Sequence, residues 1–364
     1  MVDKKYERVI IINTFGIGDV LFATPLVRIL KENMPDARID FLCNERALDI
    51  LKENRNIDDI IVYEKDDFRR VLKKSKIAFV KKILAFIKQL RGKRYDLAID
   101  LSLGYQIAFI LKLIGVKRRI GFNFRNRGRF LTEKLVIDGF NDKHVVDYYM
   151  DLLRLIGIDT AADKKIELDL SANVKKWADD FIQSKGLNDK TLVGIAPGGG
   201  KSWGEAAAYR RWPSEKFSYV ALGLLKKRSD LVFMIFGSKE ENFLCDRIVK
   251  NLGDSVINMC GKLSLPESIS LIRKCESLLC NDGGILHIAV SQGVKTVSIF
   301  GPVYCAVYGP YPQGDKNKVA IAENVDCRPC YKSFKYSKCD SYRCLTEIDR
   351  DKVLKMMEES LNIS

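Results

Sequence analysis

The sequence predicts an α/β protein built from two doubly wound, Rossmann-like parallel sheets in series. Short apolar runs suited to buried parallel strands alternate with segments of helical periodicity. The pattern also starts twice, at Val9–Asn13 and at Thr191–Ala196, and each time the run ends in glycines. In the first half, strands are expected at Val9–Asn13, Arg38–Cys43, Asp59–Tyr63, Leu97–Leu101 and Ile120–Phe122. Helices are expected at Val20–Asn33, Ala47–Glu53, Tyr105–Ile114 and His144–Leu155, with one basic helix over 69–94. Pro25 falls in the first turns of its helix, where the missing N–H is tolerated. In the second half, strands are expected at Thr191–Ala196, Leu231–Phe236, Leu278–Cys280 and Thr296–Phe300. Helices are expected at Ser214–Lys227, Pro266–Lys274 and Ile348–Leu361. The expected domains are 1–172, 173–345 and a terminal helix over 346–364.

The most informative segment is Cys280-Asn281-Asp282-Gly283-Gly284-Ile285-Leu286-His287. A buried strand opens through glycines into a helix, so bare N–H groups gather at a positive dipole end, where phosphate docks. Gly283, Gly284 and Ile285 offer backbone donors. His287, one turn into the helix, either donates to a phosphate or satisfies a carbonyl. Pro197-Gly198-Gly199-Gly200 is a second glycine turn at a strand's carboxyl end, where ligands bind in open parallel sheets. Gly16-x-Gly18-Asp19 is a third, but it lacks the third glycine and the distant acid of a dinucleotide fingerprint.

Composition narrows the class. With 47% hydrophobic and 30% charged residues, the chain reads as globular and not disordered. No apolar stretch approaches the roughly 20 residues of a bilayer span, and no secretory core follows the polar start. A cytoplasmic protein is expected. The net charge of +14 is unevenly placed: Arg69 to Arg94 holds eleven Lys or Arg and no acid. A second cluster comprises Lys117, Arg118, Arg119, Arg125, Arg127 and Arg129. Together they imply an anionic partner. A basic amphipathic helix suits an anionic membrane surface, although packing on its own sheet is the better account of the apolar stripe and leaves only the single sign of the charge unexplained. No nucleic-acid signature accompanies the charge, so no nucleic-acid partner is expected. Of ten cysteines, six are expected as buried thiols. Cys327, Cys330, Cys339 and Cys344 cluster at spacings that suit structural zinc or iron, with reduced thiols or a local disulfide as the plainer alternatives.

Taken in order, several motifs resemble glycosyltransferase family 9, the ADP-heptose:lipopolysaccharide heptosyltransferases. They are Gly16-Ile17-Gly18-Asp19-Val20-Leu21-x-x-x-Pro25, Arg119-Ile120-Gly121-Phe122 and His144-x-x-Asp147-Tyr148-Tyr149. Pro197-Gly198, Arg210-Arg211-Trp212-Pro213, Asp282-Gly283-Gly284-x-x-His287 and Phe300-Gly301-Pro302 follow. The resemblance implies a GT-B fold, two Rossmann-like domains facing a central cleft, and an inverting, metal-independent transfer. It makes Asp19 the base, where helix capping alone would also account for an Asp. It places the donor nucleotide sugar on Gly198, Gly199, Arg210 or Arg211, Glu240 or Glu241, Asp282, Gly283, Gly284, Ile285 and His287. It places an anionic glycolipid acceptor on Gly16, Gly18, Arg118 and Arg119, with the protein peripheral to the inner membrane. Two departures stand out: Gly283 where Ser or Thr is common, and Val303 where Thr is common. The competing expectations are another donor or acceptor within the family, a nucleotide-sugar epimerase, and a noncatalytic protein binding anionic surfaces.

Overall fold

A computed structural model describes residues 6–160, 164–200 and 204–363. The chain divides into two compact units, Met1–Glu167 and Leu168–Ser364. The division falls a few residues before the 172/173 boundary expected from sequence, ahead of helix Ala172–Ser184.

The first unit is one parallel sheet of β1 (Arg8–Ile12), β2 (Arg38–Cys43), β3 (Asp59–Val62), β4 (Leu97–Asp100), β5 (Arg118–Phe124) and β6 (Glu133–Ile137). Its strand order is β3-β2-β1-β4-β5-β6. The second unit repeats that order with β7 (Thr191–Ala196), β8 (Leu231–Ile235), β9 (Val256–Asn258), β10 (Ser277–Asn281), β11 (Lys295–Ile299) and β12 (Asn317–Ala320). Read from the other edge, the second sheet runs β9-β8-β7-β10-β11-β12. In this order the winding reverses between the first and fourth strands of each sheet, which opens a crevice at their carboxyl ends. The reversal lies at β1/β4 in one unit and at β7/β10 in the other.

Helices cover both faces, so the central strands must be apolar on both sides. Val9, Ile10, Ile11 and Ile12 are all fully buried, as are Leu97, Ala98 and Ile99 beside them. In the second unit, Trp212, Phe217, Val220, Phe233 and Leu279 share one core with Val353 and Met357 of the last helix and with Leu361 just after it. Helix Arg350–Ser360 therefore belongs to the second unit's core.

Several local expectations are corrected. The helix expected at Val20–Asn33 is two helices, Ile17–Phe22 and Thr24–Asn33. Pro25 cannot sit mid-helix, so the chain breaks at Ala23 and proline enters the second helix's first turn. The basic helix is also two, Lys65–Lys74 and Lys76–Gly92. Ser75 leaves helical geometry between them, and its side chain caps the second by accepting from the Ala78 N–H. Three strands were not foreseen: β6, β9 and β12. Among the cysteines expected as buried thiols, Cys245 and Cys260 are joined in a disulfide. Cys43, Cys275 and Cys280 are buried thiols, and Cys305 is half-buried.

Candidate active site

In the second unit, two turns meet at the reversal point. One follows β7 and carries Gly198, Gly199 and Gly200. The other follows β10 and leads through Asp282 and Gly283 into helix Gly284–Ser291. Asn281, at the end of β10 and almost fully buried, ties the turns together. Its amide donates to the Pro197 carbonyl at 2.7 Å and the Gly198 carbonyl at 3.3 Å, and its oxygen accepts from the Trp212 N–H at 3.1 Å. Arg210 makes a second tie. Its guanidinium donates to the Gly199 carbonyl and to the Asp282 carboxylate, the latter at 3.4 Å. Both members of this ion pair are buried. Burial pushes the Asp282 carboxyl up from its ordinary range, and Arg210 pulls it part of the way back.

Glu241 makes a third tie. Its carboxylate accepts from the Gly200 N–H at 3.1 Å and the Ser238 N–H at 2.9 Å, and it is buried, whereas Glu240 is exposed. Of the two glutamates, Glu241 is thus the one built into the turn. A Cβ on Gly198 would lie 2.1 Å from that carboxylate, so only glycine fits there. Gly200 has φ +70°, in the left-handed region. Arg211 reaches within 4.0 Å of Glu241 and is stacked over the Phe243 ring. His287 is buried in its helix. The half-buried Gly283, Gly284 and Ile285 bring the helix's amino end, with its unshared N–H groups, to the same turns.

In the first unit, Asn13 directly follows β1 and the chain passes through Gly16 into helix Ile17–Phe22, with Asp19 in its first turn. The fully buried Asn13 side chain braces this turn, donating to the Asp19 carbonyl at 2.9 Å and accepting from the Phe15 N–H at 3.1 Å. Asp19 itself is half-exposed. Tyr149 lies beneath it: burial, and then the Asp19 charge, push its phenol well above the ordinary range, so the hydroxyl stays protonated. His144 caps the following helix by accepting from the Val146 N–H at 3.2 Å, and its ring meets Phe22 edge-on at 4.8 Å. At the end of β4, level with Ile12, lies Asp100. It is buried, one carboxylate oxygen has no partner among the described residues, and burial pushes its pKa up to about 6.

Arg118 and Arg119 are not at this end of the sheet. They begin β5, with Arg118 level with Leu97 at the amino end of β4, opposite the crevice. Arg118 forms a two-pronged pair with Glu133 at 2.7 and 2.8 Å and donates to the Leu155 carbonyl and the Tyr6 hydroxyl. Arg119 donates to the carbonyls of Phe130 and Val116. The expected acceptor contact at these residues is corrected: both guanidiniums fasten β5 to its neighbours.

Cys327, Cys330, Cys339 and Cys344 line one small cavity with Tyr209, Tyr336 and Tyr342. Burial, and then neighbouring thiols, push Cys344 up to about 11. Among the described residues, no group of three or more His, Cys, Asp or Glu converges as a metal site.

Asn13, Asp100 and Asn281 escaped the sequence reading as site residues. The signal available was position: each polar side chain stands at or just past the end of an apolar strand, and a buried polar group must find a partner there.

Two Rossmann-ordered sheets, each with a polar-braced glycine turn at its reversal point, define the GT-B fold. The sequence profile of glycosyltransferase family 9 (heptosyltransferase) matches residues 83–339, and the chain belongs to that family. It is similar to lipooligosaccharide heptosyltransferase 2 of Campylobacter jejuni, 26% identical with 96% of each chain covered. The lipopolysaccharide core heptosyltransferase OpsX of Haemophilus influenzae is 25% identical over 96% of this chain and 95% of its own. Among solved structures, a family 9 glycosyltransferase from Veillonella parvula superposes with a TM-score of 0.80 at 23% identity, covering 99% of this chain and 98% of its own.

Proposed function

We propose that this glycosyltransferase moves a heptose or related sugar from a nucleotide diphosphate sugar, ADP-heptose, to a lipopolysaccharide core acceptor, with inversion. The reading draws on the names of the relatives, lipooligosaccharide and lipopolysaccharide heptosyltransferases that match along nearly the whole chain. The observation that carries the chemistry is Asp19: a half-exposed carboxylate in the first turn of a helix, at the reversal point of its sheet. A carboxylate that is to take a proton from a hydroxyl must be open to its ligand, and Asp19 is half-exposed.

In this mechanism Asp19 takes the proton of the acceptor hydroxyl. The freed oxygen attacks the anomeric carbon from the side opposite the diphosphate. The carbon–oxygen bond to phosphate breaks, and its electron pair leaves with ADP. Charge grows on the departing phosphate, and the amides of Gly283, Gly284 and Ile285 are placed to receive it. Arg211, held near Glu241 at the turn after β7, adds a cation, while Arg210 and Asp282 hold the two turns in register. Gly198 and Gly199 let main chain approach the phosphates, and His287 is buried in the helix that follows Gly283. Gly16 and Gly18 frame the acceptor side.

Catalysis on this reading uses no metal. A structural zinc or iron at the cysteine cavity would need at least three sulfurs drawn to one point, and the described thiols do not converge in that way. The protein works in the cytoplasm, beside the membrane that carries its acceptor; no helix among the described residues is long and apolar enough to cross one.

One observation favours a second reading, with a different donor sugar. A Cβ on Gly283 would meet nothing closer than 3.8 Å, so the hydroxyl common in the resembled family is missing from a place with room for it.

The test is Asp19→Asn. Turnover should fall on the order of a thousandfold while donor affinity by calorimetry is kept. Near-normal turnover would remove Asp19 as the base.

A further inference from the structure

Helix Lys76–Gly92 carries two apolar faces. The inner one is accounted for: Phe79, Ile83, Phe86, Ile87 and Leu90 pack into the cluster formed with Tyr63, Phe68 and Ile107. The outer one is not. Ile77 is 73% exposed, Val80 50% and Leu84 58%, spaced three and four residues apart on a separate stripe. A helix that covers one sheet needs only one apolar stripe. Large aliphatic side chains grouped on a surface mark an interaction site.

The charges around the stripe identify what it meets. Lys81 and Lys88 fall on the same stripe as Ile77 and Leu84, and Lys76 flanks it. Some neighbouring cations have acids to answer them: Lys82 pairs with Asp67, Lys93 with Asp59, and Arg69 with Asp66. Lys76, Lys81 and Lys88 pair with no acid among the described residues. Long lysine stems can lie along an apolar surface while the ammonium reaches outward to phosphate. Aliphatic tips flanked by unanswered lysines are the chemistry of an interfacial helix on anionic lipid. A nucleic acid would use the charge and leave the aliphatics without a role.

We propose that the outer stripe of this helix docks the protein on an anionic lipid bilayer, with Ile77, Val80 and Leu84 entering the headgroup boundary and Lys76, Lys81 and Lys88 pairing with lipid phosphates. The proposal deepens the reading of a membrane-borne acceptor and rests on it for the location of the substrate. At 17 residues the helix lies in the surface and does not cross it.

The experiment is flotation of the full-length protein with vesicles of phosphatidylethanolamine and phosphatidylglycerol, against vesicles of phosphatidylcholine alone. The wild type should partition onto the anionic vesicles and not onto the neutral ones. Ile77→Ser/Val80→Ser/Leu84→Ser should lose more than about tenfold of that partitioning. Each of Lys76→Gln, Lys81→Gln and Lys88→Gln should lose about fivefold and flatten the salt dependence. These positions are exposed, so thermal melts should match the wild type; the single change Leu84→Gln should shift partitioning in the same direction. Failure of the wild type to bind anionic vesicles at low salt, or equal binding by the triple serine variant, overturns the proposal. So does a wild-type dimer that the serine variant converts to monomer while vesicle binding is unchanged, because the stripe would then belong to a second copy. Vesicle binding without heptose transfer would keep the docking surface and reject the proposed reaction. Transfer to a detergent-dispersed acceptor without vesicle binding would do the reverse.

Discussion

Each unit places an aspartate in the strand–helix turn at the reversal point of its sheet, and the two sit in opposite surroundings. Both have a strand, a buried asparagine at or just past its end, a glycine turn and a helix, at the reversal point of a sheet with the same strand order. In the first unit, Asn13 braces its own turn and reaches the Tyr149 hydroxyl at 3.5 Å, and Asp19 is left half-exposed above that phenol. In the second, Asn281 reaches across to a neighbouring turn, and Asp282 is buried against Arg210. A carboxylate open to solvent is available to a proton. A carboxylate sealed against a guanidinium is a fastener. Burial and counter-ion, not residue type, separate the two uses.

The largest effect should come from breaking the fastener. Arg210→Met leaves Asp282 buried without its cation and should destabilise the protein by about 3–5 kcal/mol, measured by denaturant unfolding. Adding Asp282→Leu should recover much of the loss. If the single variant is as stable as the wild type, Arg210 is not the tie described here.

Asp100 sharpens the comparison, because it is buried at the ligand end of the first sheet without a cation. Its carboxyl is raised from 3.8 to about 6 by desolvation. The folded state therefore holds this proton more tightly than the unfolded chain does. Its contribution to stability is unpenalised below about pH 4, falls as pH rises from about 4 to about 6, and is level above that. Asp100→Asn should remove the slope and raise stability above pH 6 by on the order of 3 kcal/mol. Unfolding curves of both proteins across that range provide the check.

The smallest effect concerns donor contact. Gly283 has extended backbone and room for a Cβ, so Gly283→Ser should leave the melting temperature within a degree or two, an effect on the order of 0.5 kcal/mol. The added hydroxyl should tighten donor binding by roughly fivefold, the worth of one hydrogen bond. Weaker binding would show that the space is already used by the donor.

The errors of the sequence reading have a common cause. The family resemblance, with the local charge, points Arg118 and Arg119 at the acceptor, yet they immediately precede an apolar run, and the start of a parallel strand is the end away from the ligand. The partners that hold them, Tyr6, Glu133 and Leu155, are distant in sequence. Glu240 and Glu241 are adjacent and chemically equal; only the packing around Ser238 and Gly198 buries one of them. Cys245 and Cys260 meet because a helix and the end of β9 are packed together.

By itself the sequence determined the central strands and the turns that follow them. A continuous apolar run such as Val9–Ile12 is stable only when buried on both faces, and a glycine-rich break after it leaves few alternatives to a turn into a helix. The tertiary structure decided the edges and the partners. β6, β9 and β12 all lie at sheet edges, where one side is open and a half-polar sequence such as Glu133–Ile137 is stable only once its neighbour is in place. It also decided which aspartate is exposed and which is sealed, because desolvation and ion pairing depend on groups that the fold alone brings together.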